Sequence, residues 1–208
     1  MEPPSGDLVI FEGAKIDRRR VKLQSEPETG RVYGVHGFLS GPLEGAPEDA
    51  ALQFLDANYR LFESKPSAIR ELEVERVTRS PAGYHVMFQQ VHQGIPVEEA
   101  TVSVHLTPDK RVHAAYGRVA SQVAKLDVKK LAENGIDRQE AIRIALHHIG
   151  AGGDLSGSAR AEQVILLEKE PRLAWKVQFA TQKQAQEWTV WVDAVDGTVL
   201  RQREISME

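Results

Sequence analysis

The sequence predicts an α+β protein of two units, each one helix packed on a four-stranded antiparallel sheet, and three observations carry that expectation. Two stretches place apolar residues at spacings of three and four, as a helix with one buried face requires. Each is followed by four runs of alternating apolar and polar residues, separated by Gly, Pro and Asp turn signals. The second set repeats the first at an offset of about 91 residues. Tyr84-His85-Val86-Met87-Phe88 falls on Trp175-Lys176-Val177-Gln178-Phe179 with the same alternation.

Taken in order, residues 1–7 are Pro-rich and polar and read as loose chain, and Leu8–Phe11 and Val21–Leu23 read as short strands. Glycines and prolines between Glu26 and Gly45 predict mostly loop, with Gly37–Leu43 (GFLSGPL) docking apolar residues on a core. Ala46-Pro47-Glu48-Asp49 opens the first helix, because proline is tolerated in the first turn and acids there complement the helix dipole. Leu52, Leu55, Tyr59 and Phe62 form its stripe, with Ala51 and Phe54 beside them, and the helix is expected to end near Ser64, before Pro66. Strands are predicted over 69–80, 84–91, 97–106 and 111–119. Asp137 followed by Glu140 reads as a capping box for the second helix, which Gly150 stops. Strands are then predicted over 162–169, 173–181, 187–194 and 198–204, the last two joined by the tight-turn pair Asp196-Gly197. These elements give domains at 1–122 and 135–208, with a linker at 123–134 where alternation stops.

Composition narrows the function classes. Hydrophobic residues at 41% and charged residues at 27% are ordinary for a globular chain of 208 residues, and a net charge of −4 leaves no broad basic face for nucleic acid. The absence of cysteine removes disulfides, thiolate nucleophiles and cysteine zinc sites together. No apolar run approaches the roughly 18 residues of a membrane span. The N-terminus has no basic region followed by an apolar core, so the chain is either cytosolic or carries no signal peptide because one has been left off. No HExxH, GxSxG or strand–glycine–helix phosphate cradle is present. His147 and His148 are adjacent on a helix and point about 100° apart, so they cannot chelate one ion together. His85, His105 and His113 fall on neighbouring strands of the first sheet; zinc is one reading of such a trio, and an ordinary solvated strand face is the plainer one. No catalytic residue, metal ligand or cofactor is assigned. Trp188 and Trp191, three residues apart on a strand, are expected on opposite faces of the second sheet.

The run HVMFQQVHQGIPVEEATVSVHL (85–106) closely resembles the fungalysin/thermolysin propeptide motif, or FTP domain. His85, Phe88, Gln89, Gln90, Gly94, Pro96, Val97, His105 and Leu106 match it, as do the upstream GFLSGPL and PEDAALQFLDANYRLF. Glu98-Glu99-Ala100 departs from the glycine-containing turn usual there. The second half resembles a PepSY domain through QEAIRIAL, PRLAWKVQF and WTVWVDAVDGTVL. The resemblance implies two cystatin-like units and the propeptide of a secreted zinc metalloendopeptidase. Such a propeptide is not itself an enzyme; it holds the protease inactive and assists its folding. The expected partner is therefore the catalytic domain of a thermolysin/fungalysin-like peptidase, in cis or in trans, and the expected location is secreted or periplasmic. A stand-alone binding module of the same fold, recognising a peptide or envelope protein, is the alternative. The residues expected to meet a partner are Gln89, Gln90, Gly94, Ile95, Pro96 and Val97 of the QxxxGxPV connection, Trp188 and Trp191, and Arg201 and Glu204 in the last strand.

Overall fold

In the computed structural model, which describes residues 21–28, 32–62, 64–182 and 186–206, the chain is mixed α+β, with mostly antiparallel strands and few helices. The expected strand at 8–11 lies outside the described residues. Contacts divide the chain into two units: one comprises residues up to His92 together with Glu99–Ala124, the other Gln93–Glu98 together with the chain from Lys125.

The strands of the first unit are β1 (Lys22–Ser25), β2 (Val32–His36), β3 (Leu72–Ser80), β4 (Gly83–His92), the greater part of β5 (Ile95–Leu106) and β6 (Val112–Gly117). They lie in the order β1-β2-β6-β5-β4-β3. Among the described residues this sheet has six strands where four were expected. The added pair is β1, where a short strand was read at Val21–Leu23, and β2, which falls inside the stretch read as loop. Gly34 diluted its alternation, yet that glycine is there for close approach: a Cβ would come within 2.5 Å of the Tyr116 ring. α1 (Pro47–Ala57) lays Ala50, Ala51, Phe54 and Leu55 on Val86 and Phe88 of β4 and Val102, Val104 and Leu106 of β5. Burying Phe54 and Phe88 completely contributes about 1.5–3 kcal/mol for each ring.

The first helix stops earlier than its stripe implied. α1 ends at Asn58, whose N–H reaches the Phe54 and Leu55 carbonyls and whose side chain also donates to the Phe54 carbonyl at 2.8 Å, and a 3-10 turn (Tyr59–Phe62) follows. Pro66, read as the terminator, instead sits in the first turn of α2 (Pro66–Ile69), so β3 starts at Leu72 rather than Ile69.

The second unit holds four antiparallel strands, β7 (Arg160–Leu166), β8 (Arg172–Ala180), β9 (Gln186–Asp193) and β10 (Val199–Ser206), in chain order. Val97, in the opening residues of β5 that belong to this unit, pairs in parallel with Ile165 of β7. The segment from 121 to 133 is a 3-10 turn (Ser121–Lys125) followed by the short helix α3 (Val128–Glu133). α4 (Arg138–Ile149) begins where the Asp137 carboxylate accepts the Glu140 N–H at 2.8 Å and ends at the left-handed Gly150. Only half of the expected capping box forms, because the Glu140 carboxylate turns to Arg143. Ala141 and Ala145 pack on Val177, Phe179, Val190 and Val192. The opposite face of this sheet buries Val164, Leu166, Ala174 and Trp191. At the β9–β10 turn, Asp193 Oδ1 accepts the Val195 N–H at 2.8 Å while Oδ2 accepts from Arg172 at 3.0 Å.

Candidate functional site

β4 alternates so that Val86, Phe88, Gln90 and His92 are buried while His85, Met87, Gln89 and Val91 are half-buried on the other face. Gln90 is therefore a polar side chain inside a core, and its hydrogen bonds explain why it is tolerated there. Its oxygen accepts the Ala120 N–H at 2.8 Å, and its NH2 donates to the Ala120 carbonyl at 3.1 Å and to Glu71 Oε2 at 2.8 Å. An amide carries the donor and the acceptor needed to satisfy both backbone groups of one residue, as a neighbouring strand would. The other oxygen of Glu71 lies 2.6 Å from His92 Nδ1. Gln89, on the opposite face, donates to the carbonyls of Gln90 and Ala100 at 3.0 and 3.2 Å.

The Gln93-Gly94 turn has positive φ at both residues, 51° and 84°, the combination that a two-residue type I′ hairpin requires. Gln93 repeats the device of Gln90: it donates to the Leu126 carbonyl at 2.9 Å and accepts the Val128 N–H at 3.2 Å. Glu98 faces Lys176 at 3.0 Å.

These geometries sort the residues expected to meet a partner. Gln90 and Val97 are fully buried and Trp191 is 2% exposed. Gln89, Ile95, Pro96, Trp188 and Arg201 are half-buried, and Gly94 and Glu204 are exposed. The two tryptophans do lie on opposite sheet faces: Trp188 packs on the α4 side and Trp191 on the other. β10 places Arg201 opposite Trp191 and Glu204 opposite Trp188. The Arg201 guanidinium lies 5.6 Å from the Trp191 ring centre and Arg203 lies 5.8 Å from it, a cationic cover over a buried indole. Glu204 accepts from Gln186 at 2.6 Å. Sequence reasoning missed Glu71 and Gln93. Glu71 precedes β3 and takes part in no alternation, whereas a glutamine beside a turn glycine was a usable signal.

The strand histidines do come together. His85 Nδ1 and His105 Nδ1 are 2.6 Å apart, and the His105 and His113 rings are centred 6.1 Å apart. Among the described residues no group of three His, Cys, Asp or Glu is arranged to hold a metal ion.

The first unit is a helix on a sheet whose Gln90 holds the Ala120 backbone, and the second is another helix on a sheet. Residues 70–119 match the Fungalysin/Thermolysin Propeptide Motif and residues 135–203 match the Peptidase propeptide and YPEB domain. The chain is 29% identical over 169 residues to the bacillolysin of Bacillus subtilis (strain 168) and 26% identical over 180 residues to that of Bacillus amyloliquefaciens. These alignments cover 76% and 81% of this chain but only 32% and 33% of the bacillolysins, so the chain spans about a third of the length of the relatives it matches. The chain carries a thermolysin-type propeptide region. Among solved structures, the Bacillus megaterium YpeB C-terminal domain aligns at a TM-score of 0.40 and 10% identity, covering 88% of this chain and 81% of that one. A likeness of that size carries no argument. Among the described residues no helix is long and apolar enough to cross a membrane.

Proposed function

We propose that the chain is the inhibitor and intramolecular folding chaperone of a secreted thermolysin-like zinc metalloendopeptidase, acting on the catalytic domain in cis or in trans. The observation that carries this reading is the order of the two modules, FTP over 70–119 and PepSY over 135–203, in a chain that aligns with bacillolysins. In this reading the FTP-like domain spans 1–122, a linker 123–134 and the PepSY-like domain 135–208, each domain a cystatin-like unit, and the protein works outside the cytoplasm.

Inhibition of this kind is steric and needs no covalent chemistry. A folded surface presented ready-made loses little ordering entropy when it docks. The surface residues suited to meeting the protease are Gln89, Gly94, Ile95 and Pro96 around the β4–β5 hairpin, and Trp188, Arg201 and Glu204 on β9 and β10. Gln90, Val97 and Trp191 serve by holding those strands in place.

The test is inhibition in trans, with the purified chain added to the catalytic domain of a bacillolysin. Inhibition at micromolar concentration or below, together with faster recovery of activity when the denatured protease refolds beside it, is the expected result (about −8 kcal/mol for a micromolar Kd). No inhibition and no help in refolding at that concentration sinks the proposal.

A further inference from the structure

The imidazoles on the outer face of the first unit have no part in the reading above. His85, His105 and His113 come from β4, β5 and β6, and none is taken up by the core. We infer that this cluster makes the first unit acid-sensitive, closed while the rings share one proton or fewer in the His85–His105 bridge and loosened when a second proton enters it.

The bridge itself sets the limit. Two Nδ1 atoms 2.6 Å apart hold one hydrogen between them, one ring donating and the other accepting. Protonating both rings puts an N–H on each Nδ1, which removes the bond and leaves two cations in contact. A third ring, His113, adds its charge from 6.1 Å.

Among the described residues, the surrounding groups offer little compensation. On β3, Ser80 Oγ is 3.1 Å from His85 Nε2 and Thr78 lies opposite His85, while Arg76 and Glu73 lie further along, opposite Met87 and Gln89. On β6, the Tyr116 ring meets His105 edge-on at 5.7 Å. Ala114 of β6 pairs with His105 on one side and with His36 of β2 on the other, and Lys22 of β1 lies opposite His36. Asp109, at the β5–β6 turn, is engaged by Thr107 and Arg111. Burial first, then repulsion from His85 and His113, holds His105 below the ordinary imidazole range. Burial and then His85 do the same to His113.

The direction follows from linkage. Rings held below the unfolded value of 6.5 make the folded unit bind fewer protons than the unfolded chain as pH falls past that value. The stability they contribute is complete above that pH and is lost on acidification through the window beneath it. Placed on a protease propeptide, this is a release device: acidification weakens the grip on the catalytic domain. That consequence rests on the proposed function; the acid sensitivity does not.

The experiment follows unfolding of the full chain by circular dichroism between about pH 8 and pH 5, with ring titrations by NMR in parallel. The unfolding midpoint is expected to drop as pH falls below the ordinary imidazole value, with the drop flattened in His105→Gln, and the His105 ring signal to titrate below that of a histidine peptide. Equal pH dependence in wild type and variant overturns the inference, and so does a His105 ring that titrates like a free peptide. The ring titration uses the unsubstituted chain and decides the matter if the variant does not fold. Inhibition of a bacillolysin catalytic domain is then expected to weaken severalfold from about pH 7.5 to about pH 5.5 with the wild type, and far less with His105→Gln. An equal loss for both proteins overturns the release device. Inhibition absent at every pH sinks the propeptide reading, and the unfolding and ring data still decide the acid sensitivity.

Discussion

At the scale of single residues, two glutamines do work that the pattern of the sequence partly conceals. Gln90 lies on the same face as Val86 and Phe88, so alternation already put it in the core. Its polar character argued for the surface; of the three hydrogen bonds that reconcile the two, two are with Ala120, 30 residues away, and one is with Glu71, where no local pattern points. Gln90→Ala deletes buried volume and strands the N–H and carbonyl of Ala120. The expected cost is about 2–4 kcal/mol, read as a lower midpoint in urea unfolding. Gly83→Ala is expected to be worse tolerated than any exposed substitution on β4, because the new Cβ would come within 1.9 Å of the Leu106 carbonyl oxygen at a φ of 136°. Val97 and Trp191, named among the residues expected to meet a partner, are buried. The burial of Val97 depends on its pairing with Ile165, a partner no local signal names.

At the scale of elements, the signals with a local physical cause were the legible ones. Asp137 caps α4 and Gly150 closes it, as their positions implied. The cap predicts its own measurement: Asp137→Ala frees the Glu140 N–H and should cost about 1 kcal/mol, with Asp137→Asn close to neutral, by thermal unfolding. Strands β3 to β6 and β7 to β10 stand within a few residues of their alternating runs. What could not be read was decided by tertiary partners. β2 is a strand because it pairs with β1 and β6, and its glycine meets Tyr116. α1 yields to a 3-10 turn although the apolar stripe continues through Tyr59 and Phe62: the Asn58 N–H is already shared between the Phe54 and Leu55 carbonyls, and the Leu61 N–H bonds the Asn58 carbonyl three residues back.

At the scale of the whole molecule, the three tryptophans, Trp175, Trp188 and Trp191, all belong to the second unit, whereas His85, His105 and His113 all belong to the first. Each unit therefore has its own reporter. Gln90→Ala is expected to move the transition followed by the ring signals of His85, His105 and His113 more than the one followed by tryptophan emission, and Asp137→Ala to do the reverse. Equal shifts by both probes would show the units unfolding as one. The sharing of β5 has a further consequence for dissection of the gene. The second unit takes Gln93–Glu98 from the middle of the first, so no single cut in the coding sequence yields both units whole. A fragment starting at Lys125 lacks the Gln93 hook on Leu126 and Val128, the strand mate of Ile165 and the carboxylate facing Lys176. The smallest inherited unit is then the pair, and insertions or recombination points at the β4–β5 hairpin damage two cores at once.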